Sequence, residues 1–179
     1  MAQQLDPGSN AILADKGLIL LYTGPRQQAV ALLKQLESTE PAFLSTYRYL
    51  QTAALMDKDY PAYLETAAKA ARLRHDPREL AIINAEEKGF ARGQRQGMFE
   101  SMLEEQQKLY AEGHLPAYDL ASTYGFLGNK PKALEYLQRA YDHHESGLMS
   151  IRNNFGFADL HSDPAFRKLV VQLGLPPLP

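Results

Sequence analysis

The chain has 179 residues, 45% of them hydrophobic and 22% charged, with a formal net charge of −2. This is globular composition, long enough to bury a continuous core, and its charge builds in no general attraction to nucleic acid or anionic lipid. Cysteine is absent, which excludes disulfides and thiolate metal sites and is neutral between a reducing and an oxidising compartment.

The first ten residues lack the basic start and apolar stretch of a signal peptide. The longest apolar run, residues 17–22, is too short to cross a bilayer. Proline marks a period: Asp6-Pro7 is followed by Glu40-Pro41, a spacing of 41 − 7 = 34, and then by Asp76-Pro77, a spacing of 77 − 41 = 36. A helix–turn–helix unit has this length. Leu5-Asp6-Pro7 matches the close of a repeat, so residues 1–8 are expected to be the end of a truncated preceding repeat.

In the first unit Ile12, Leu13, Gly17 and Leu20 recur at helical spacing, Thr23-Gly24-Pro25 breaks the helix, and Ala29, Val30, Leu33 and Leu36 resume it. Gly17 and Ala29 are the small residues expected where the paired helices approach most closely. The second unit is looser: Tyr47, Leu50 and Ala54 lead to a Lys58-Asp59 turn, then Tyr63, Ala67, Ala70 and Leu73. The third, from about Arg78 to Gly113, is degenerate, and Gly89, Gly93 and Gly97 compete for its turn, placed near Gly93. In the last unit Ala117, Leu120, Ala121 and Tyr124 precede a Gly128-Asn129 turn, with Asn129 as N-cap and Pro131 in the first turn of the next helix. Ala133, Leu134, Leu137 and Ala140 mark the face of that helix, and Gly147 suits its stop. Residues 150–161 read as a short helix plus a loop. Asp163-Pro164 opens a final helix carrying Phe166, Leu169, Val170 and Leu173, a cap for the apolar flank of the array.

The sequence resembles the tetratricopeptide repeat family, whose unit favours a small residue eighth, Ala twentieth and Pro thirty-second. Counted from Asn10, Gly17, Ala29 and Pro41 take those positions. Counted from His114, Ala121, Tyr124, Gly128, Ala133, Leu137 and Ala140 match the family pattern. The tail, with Phe155-Gly156-Phe157 and the run from Leu160 through Asp163-Pro164 to Phe166, also resembles the C-terminal repeat region of bacterial regulators. In those proteins repeats follow a winged-helix transcriptional regulator, an adenylate-cyclase-type or a serine/threonine kinase domain.

The resemblance implies an all-α, right-handed superhelix of antiparallel helix pairs, with three to four hairpins in residues 9–146 and a C-terminal loop and capping helix in residues 147–179. It implies a concave groove lined by the second, fifth, ninth, twelfth and thirteenth positions of each unit. Those positions give Ala14, Leu18, Leu21 and Tyr22 in the first unit, and Arg48, Thr52, Leu55 and Met56 in the second. They give Ile83, Glu87 and Phe90 in the third, and Tyr118, Ser122, Gly125 and Phe126 in the last. Aromatic and Arg side chains are the usual anchors of protein interfaces, and a helix or extended peptide fits such a groove. The Lys and Asn of the family's carboxylate clamp are replaced here by Ala14, Leu18, Arg48 and Thr52, so binding of the chaperone-tail type is not implied.

Catalytic and metal readings have less to stand on. His143 and His144 are adjacent, so on a helix their rings diverge by about 100° instead of converging on one ion. Glu86-Glu87 and Glu104-Glu105 diverge likewise and read as the wet face. Nucleophile, phosphate-loop and metalloprotease motifs are missing, and the Arg clusters at Arg72, Arg74, Arg92 and Arg95 are interspersed with carboxylates, without aromatic interleaving.

The expectation is a non-enzymatic protein- or peptide-binding module of a larger bacterial signalling or transcriptional regulatory protein, without cofactor, metal, direct nucleic-acid contact or membrane contact. It is expected in the cytoplasm, or in the periplasm if a membrane segment has been removed upstream. A self-associating or structural array is the alternative, followed by a helical enzyme acting through its His and Glu residues. Oligomeric state stays open.

Overall fold

The computed structural model describes residues 9–178, so the truncated repeat expected at residues 1–8 lies outside the described residues. The described chain is all-helical, without strands, and its consecutive helices pack in pairs. Its described residues divide into two compact units, one up to residue 83 and one from residue 84 onward.

The first unit holds α1 (Asn10–Thr23), α2 (Arg26–Thr39), α3 (Leu44–Asp57) and α4 (Tyr60–Arg74). Local chemistry sets their ends. Ser9 caps α1 by accepting from the Ile12 N–H, and Asp59 caps α4 by accepting from the Ala62 N–H at 3.1 Å. Lys58, left-handed at φ 57°, closes α3. Leu21, Ala29, Leu33, Leu50 and Ala53 form one buried cluster of α1, α2 and α3, each fully buried leucine contributing about 1.5–3 kcal/mol. At Gly17 a Cβ would lie 2.7 Å from Leu33 Cδ2, so the small residue sets how closely α1 meets α2. The Tyr49 hydroxyl donates to Asp15 Oδ1 at 2.8 Å and ties α3 to α1.

α5 (Pro77–Ala111) is two helices joined at a sharp break, with non-helical backbone at Gly93 and Gln94. The three competing glycines are thereby separated in role. Gly93 lies in the turn. Gly89 and Gly97 face each other across it, each backbone so close to the other that a Cβ on either would fall on the partner's carbonyl oxygen. Gln94 takes φ 50°, ψ −139°, a conformation that favours glycine.

The second unit continues with α6 (Ala117–Phe126), α7 (Lys130–Asp142), 3₁₀ segments at Ser146–Ser150 and Phe155–Leu160, and α8 (Pro164–Gln172). Asn129 caps α7 and Asp163 caps α8, as their sequence positions imply. α7 ends at Asp142, with His144 in the left-handed conformation, so the helix stops earlier than Gly147 suggested. Gly147 instead packs on the Tyr118 ring, where a Cβ would lie 2.6 Å from Cδ1. Within residues 150–161, read as a short helix plus a loop, turns lead into the 3₁₀ helix Phe155–Leu160. Phe157, Leu160, Phe166 and Val170 join Leu120, Ala133 and Leu137 in the core.

Two substitutions in α5 are expected to move stability in opposite directions. Gly89→Ala forces backbone apart and should lower the unfolding free energy of the second unit by about 2 kcal/mol or more. Gln94→Gly relieves the positive φ and should raise it by up to about 1 kcal/mol. Urea unfolding followed by circular dichroism reads both.

Candidate partner-binding face

The structure gives the sequence-derived groove positions different surroundings in the two units. In the first, α1 and α3 pack side by side. Tyr22 is exposed at 53%, and Arg48 is exposed with its guanidinium 5.8 Å from the Tyr49 ring centroid. Leu18, Thr52, Leu55 and Met56 are half-buried, and Leu18 and Met56 rest on the Leu21–Leu33–Leu50 cluster. The Thr52 hydroxyl donates back to the Arg48 carbonyl at 3.0 Å, so it is engaged within its own helix. Ala14 and Leu21 are core residues, and Ile83 packs with Ala67, Ala68 and Ala71. Ile19, which the groove positions did not include, is exposed at 60% one turn before Tyr22. α1 is rich in apolar residues and spreads them around its circumference, interrupted by exposed Asp15 and Lys16.

The second unit differs because its own C-terminal segment lies on α6. Tyr118 is buried, its ring edge-on to Phe157 at 5.7 Å between centroids, and its hydroxyl accepts from Asn154 Nδ2 at 3.1 Å. Burial pushes the Tyr118 phenol up to about 12. Ser122 Oγ donates to Asn154 Oδ1 at 3.1 Å. A Cβ at Gly125 would fall on the Gly156 carbonyl oxygen. Phe126 is half-buried and stacked on Phe99, 4.5 Å between centroids and 7° between planes, with the Arg95 guanidinium over Phe99 and bonded to the Phe126 carbonyl. Glu87 is exposed and Phe90 half-buried on α5.

Three features of the second unit had no local sequence signature. Pro116 gives α6 no side-chain cap, and Glu145 supplies one from a distance: its carboxylate accepts the Ala117 and Tyr118 N–H groups at 2.9 and 2.8 Å. Asn154, which follows α7 in sequence, bridges Tyr118 and Ser122. Glu86, read as wet face, is buried with 1% exposure.

Charge in the first unit gathers on the second-helix side. Lys69 donates to Glu37 at 2.8 Å and pairs with Glu65 at 2.9 Å, which raises its ammonium above the ordinary lysine range; the Glu37 bond is the larger cause. These groups rim a cleft of about 290 Å³ floored by Val30, Leu50, Ala53 and Ala54, which draws no lining from α1. Exposed pairs of this kind contribute roughly 0–1 kcal/mol. Among the described residues no group of three His, Asp or Glu side chains is placed to hold a metal ion, and no helix is long and apolar enough to cross a membrane.

Compared with protein-family models, curated proteins and solved structures, the chain gives no match.

The two faces should respond differently to substitution. Gly125→Ala should destabilise the second unit by about 2 kcal/mol or more, since backbone must move. Tyr22→Ala should change the stability of the first unit by no more than about 0.5 kcal/mol, as for an exposed position. Thermal unfolding of the two variants separates them.

Proposed function

We propose that this chain is a tetratricopeptide-type interaction module that binds a protein or peptide partner on the α1/α3 face of its first unit. The observation that carries the reading is the exposed apolar strip of Ile19 and Tyr22 beside half-buried Leu18, Thr52 and Met56, with Arg48 at its edge. Large exposed aromatic and aliphatic side chains next to a guanidinium are what a buried interface core is built from. The groove expected in the superhelical fold would run along these first helices, and the tail's resemblance to bacterial regulators supports a role inside a larger signalling or transcriptional protein. Binding without catalysis accords with a face made of apolar groups and one Arg.

A second reading is self-association through the same strip, favoured by the exposure of Ile19 and Tyr22 together on α1. Light scattering on the purified chain separates the two. A concentration-dependent dimer abolished by Ile19→Glu would favour the array, and a monomer would favour a separate partner.

The direct test places a photo-crosslinking phenylalanine analogue at position 22 and, as control, at exposed Val171. Crosslinks to a discrete partner at 22 and not at 171, lost when Arg48 and Met56 are changed to Ala with helicity intact, are expected. Equal crosslinking at both positions, or partner capture untouched by the alanine variants, would refute the assignment.

A further inference from the structure

The break inside α5 is unlike the other turns between helices. Pro25, Pro41, Pro61, Pro77, Pro116 and Pro131 stand at the junctions from α1 to α7, where the proline ring and its missing N–H keep one helix from running into the next. Between Arg92 and Arg95 there is no proline and no Ser, Thr, Asn or Asp to cap a new start. Only Gly93 and Gln94 leave helical backbone, and helix runs up to both sides of them. Gln94 carries the strain: φ 50° with ψ −139° is a combination that glycine tolerates and a side chain resists. Glutamine and arginine are good helix formers, so helix continued through residues 93 and 94 would release that strain.

The contacts that hold the turn closed all join a residue before it to one after it. The carbonyl oxygens of Gly89 and Gly97 each occupy the space where the other residue's Cβ would stand, and Arg92 Nη2 donates to Ser101 Oγ at 3.0 Å. Gly93 itself packs on nothing, since a Cβ there would meet no atom within 4 Å. The arm after the break is fastened to α6, with Phe99 stacked on Phe126 and Arg95 bonded to the Phe126 carbonyl. We infer that α5 is a hinge for arm exchange: two copies of this chain straighten α5, and each lays its residues 84–92 against residues 95 onward of the other, as an intertwined dimer.

The exchange remakes each contact across the break twice, between copies instead of within one, and alters only the hinge. Loss of the positive φ at Gln94 favours the exchanged form, whereas glycine in a helix interior at position 93 disfavours it. Association itself opposes the dimer, so the balance depends on concentration. Short hinges under strain are where such exchange arises. The dimer carries two copies of the α1/α3 face, so it would hold a partner bearing two recognition segments with avidity. That consequence rests on the partner-binding reading, and the exchange does not.

The whole chain, which has no cysteine of its own, is opened in urea at high concentration, returned to native buffer and separated by size exclusion with light scattering. A species of twice the monomer mass that persists on dilution is expected. Gly93→Ala, which favours the continuous helix, should raise the dimerisation constant about fivefold per chain; Gln94→Gly, which eases the closed turn, should lower it by at least about that factor. Ile19→Glu should leave it unchanged, which separates arm exchange from association through the α1 strip. Spin labels on Asn84→Cys and Glu104→Cys, both exposed positions, read the hinge with residues 93 and 94 intact, in dimers formed with excess unlabelled chain. Continuous helix over 104 − 84 = 20 residues sets the two labels about 30 Å apart within one chain, well beyond their separation in the folded-back monomer. No dimer after refolding, an intrachain distance in the dimer equal to the monomer's, equal dimerisation by Gly93→Ala and Gln94→Gly, or loss of the dimer in Ile19→Glu overturns the exchange.

Discussion

Antiparallel helices in this chain come together only as closely as their smallest residues permit, and the positions of those residues govern the packing within each unit. Gly17 admits Leu33 between α1 and α2, Gly89 and Gly97 let the two halves of α5 touch backbone to backbone, and Gly125 receives Gly156. Interiors pack at crystalline density, so an added methyl at such a crossing must displace backbone or a buried side chain. Leucine and phenylalanine burial supplies the favourable free energy. The glycines and alanines decide the geometry in which it is gained.

The same rule accounts for the contrast between the two first-helix faces. In the first unit nothing among the described residues seats on Ile19 and Tyr22, and large apolar side chains stay in water. In the second, Gly156 brings the backbone of its segment onto α6, and Phe157 follows into the core beside Tyr118. Once Phe157 is fully buried, the segment is part of the fold. The surface proposed for a partner is therefore the α1/α3 strip, while Tyr118 and Ser122 are committed to internal bonds with Asn154.

How much of this could be read in the sequence depended on range. Helix ends are set by residues within a few positions, so Lys58-Asp59, Asn129 and Asp163 announced their turns and caps. The all-helical pairing followed from spacing of apolar residues. The glycine trio of α5 could be narrowed to a turn but not sorted into turn and crossing, because that needs to be known which residues face each other in space. Glu145 and Asn154 act on α6 across 28 and 36 positions, and a polar residue serving a distant helix carries no periodic mark. Positions counted along a repeat likewise place Tyr22 and Tyr118 on equivalent faces. The sequence holds no sign that one stays in water and the other is covered.

Rapid hydroxyl-radical labelling with peptide-level mass spectrometry reads that contrast without knowing any partner, using exposed Met149 as the internal reference. In the native chain Tyr22 should be modified far faster than Tyr118, and the two should become alike in denaturant. Equal native rates, or a protected Tyr22 beside a reactive Tyr118, would contradict the open first face and the covered second one.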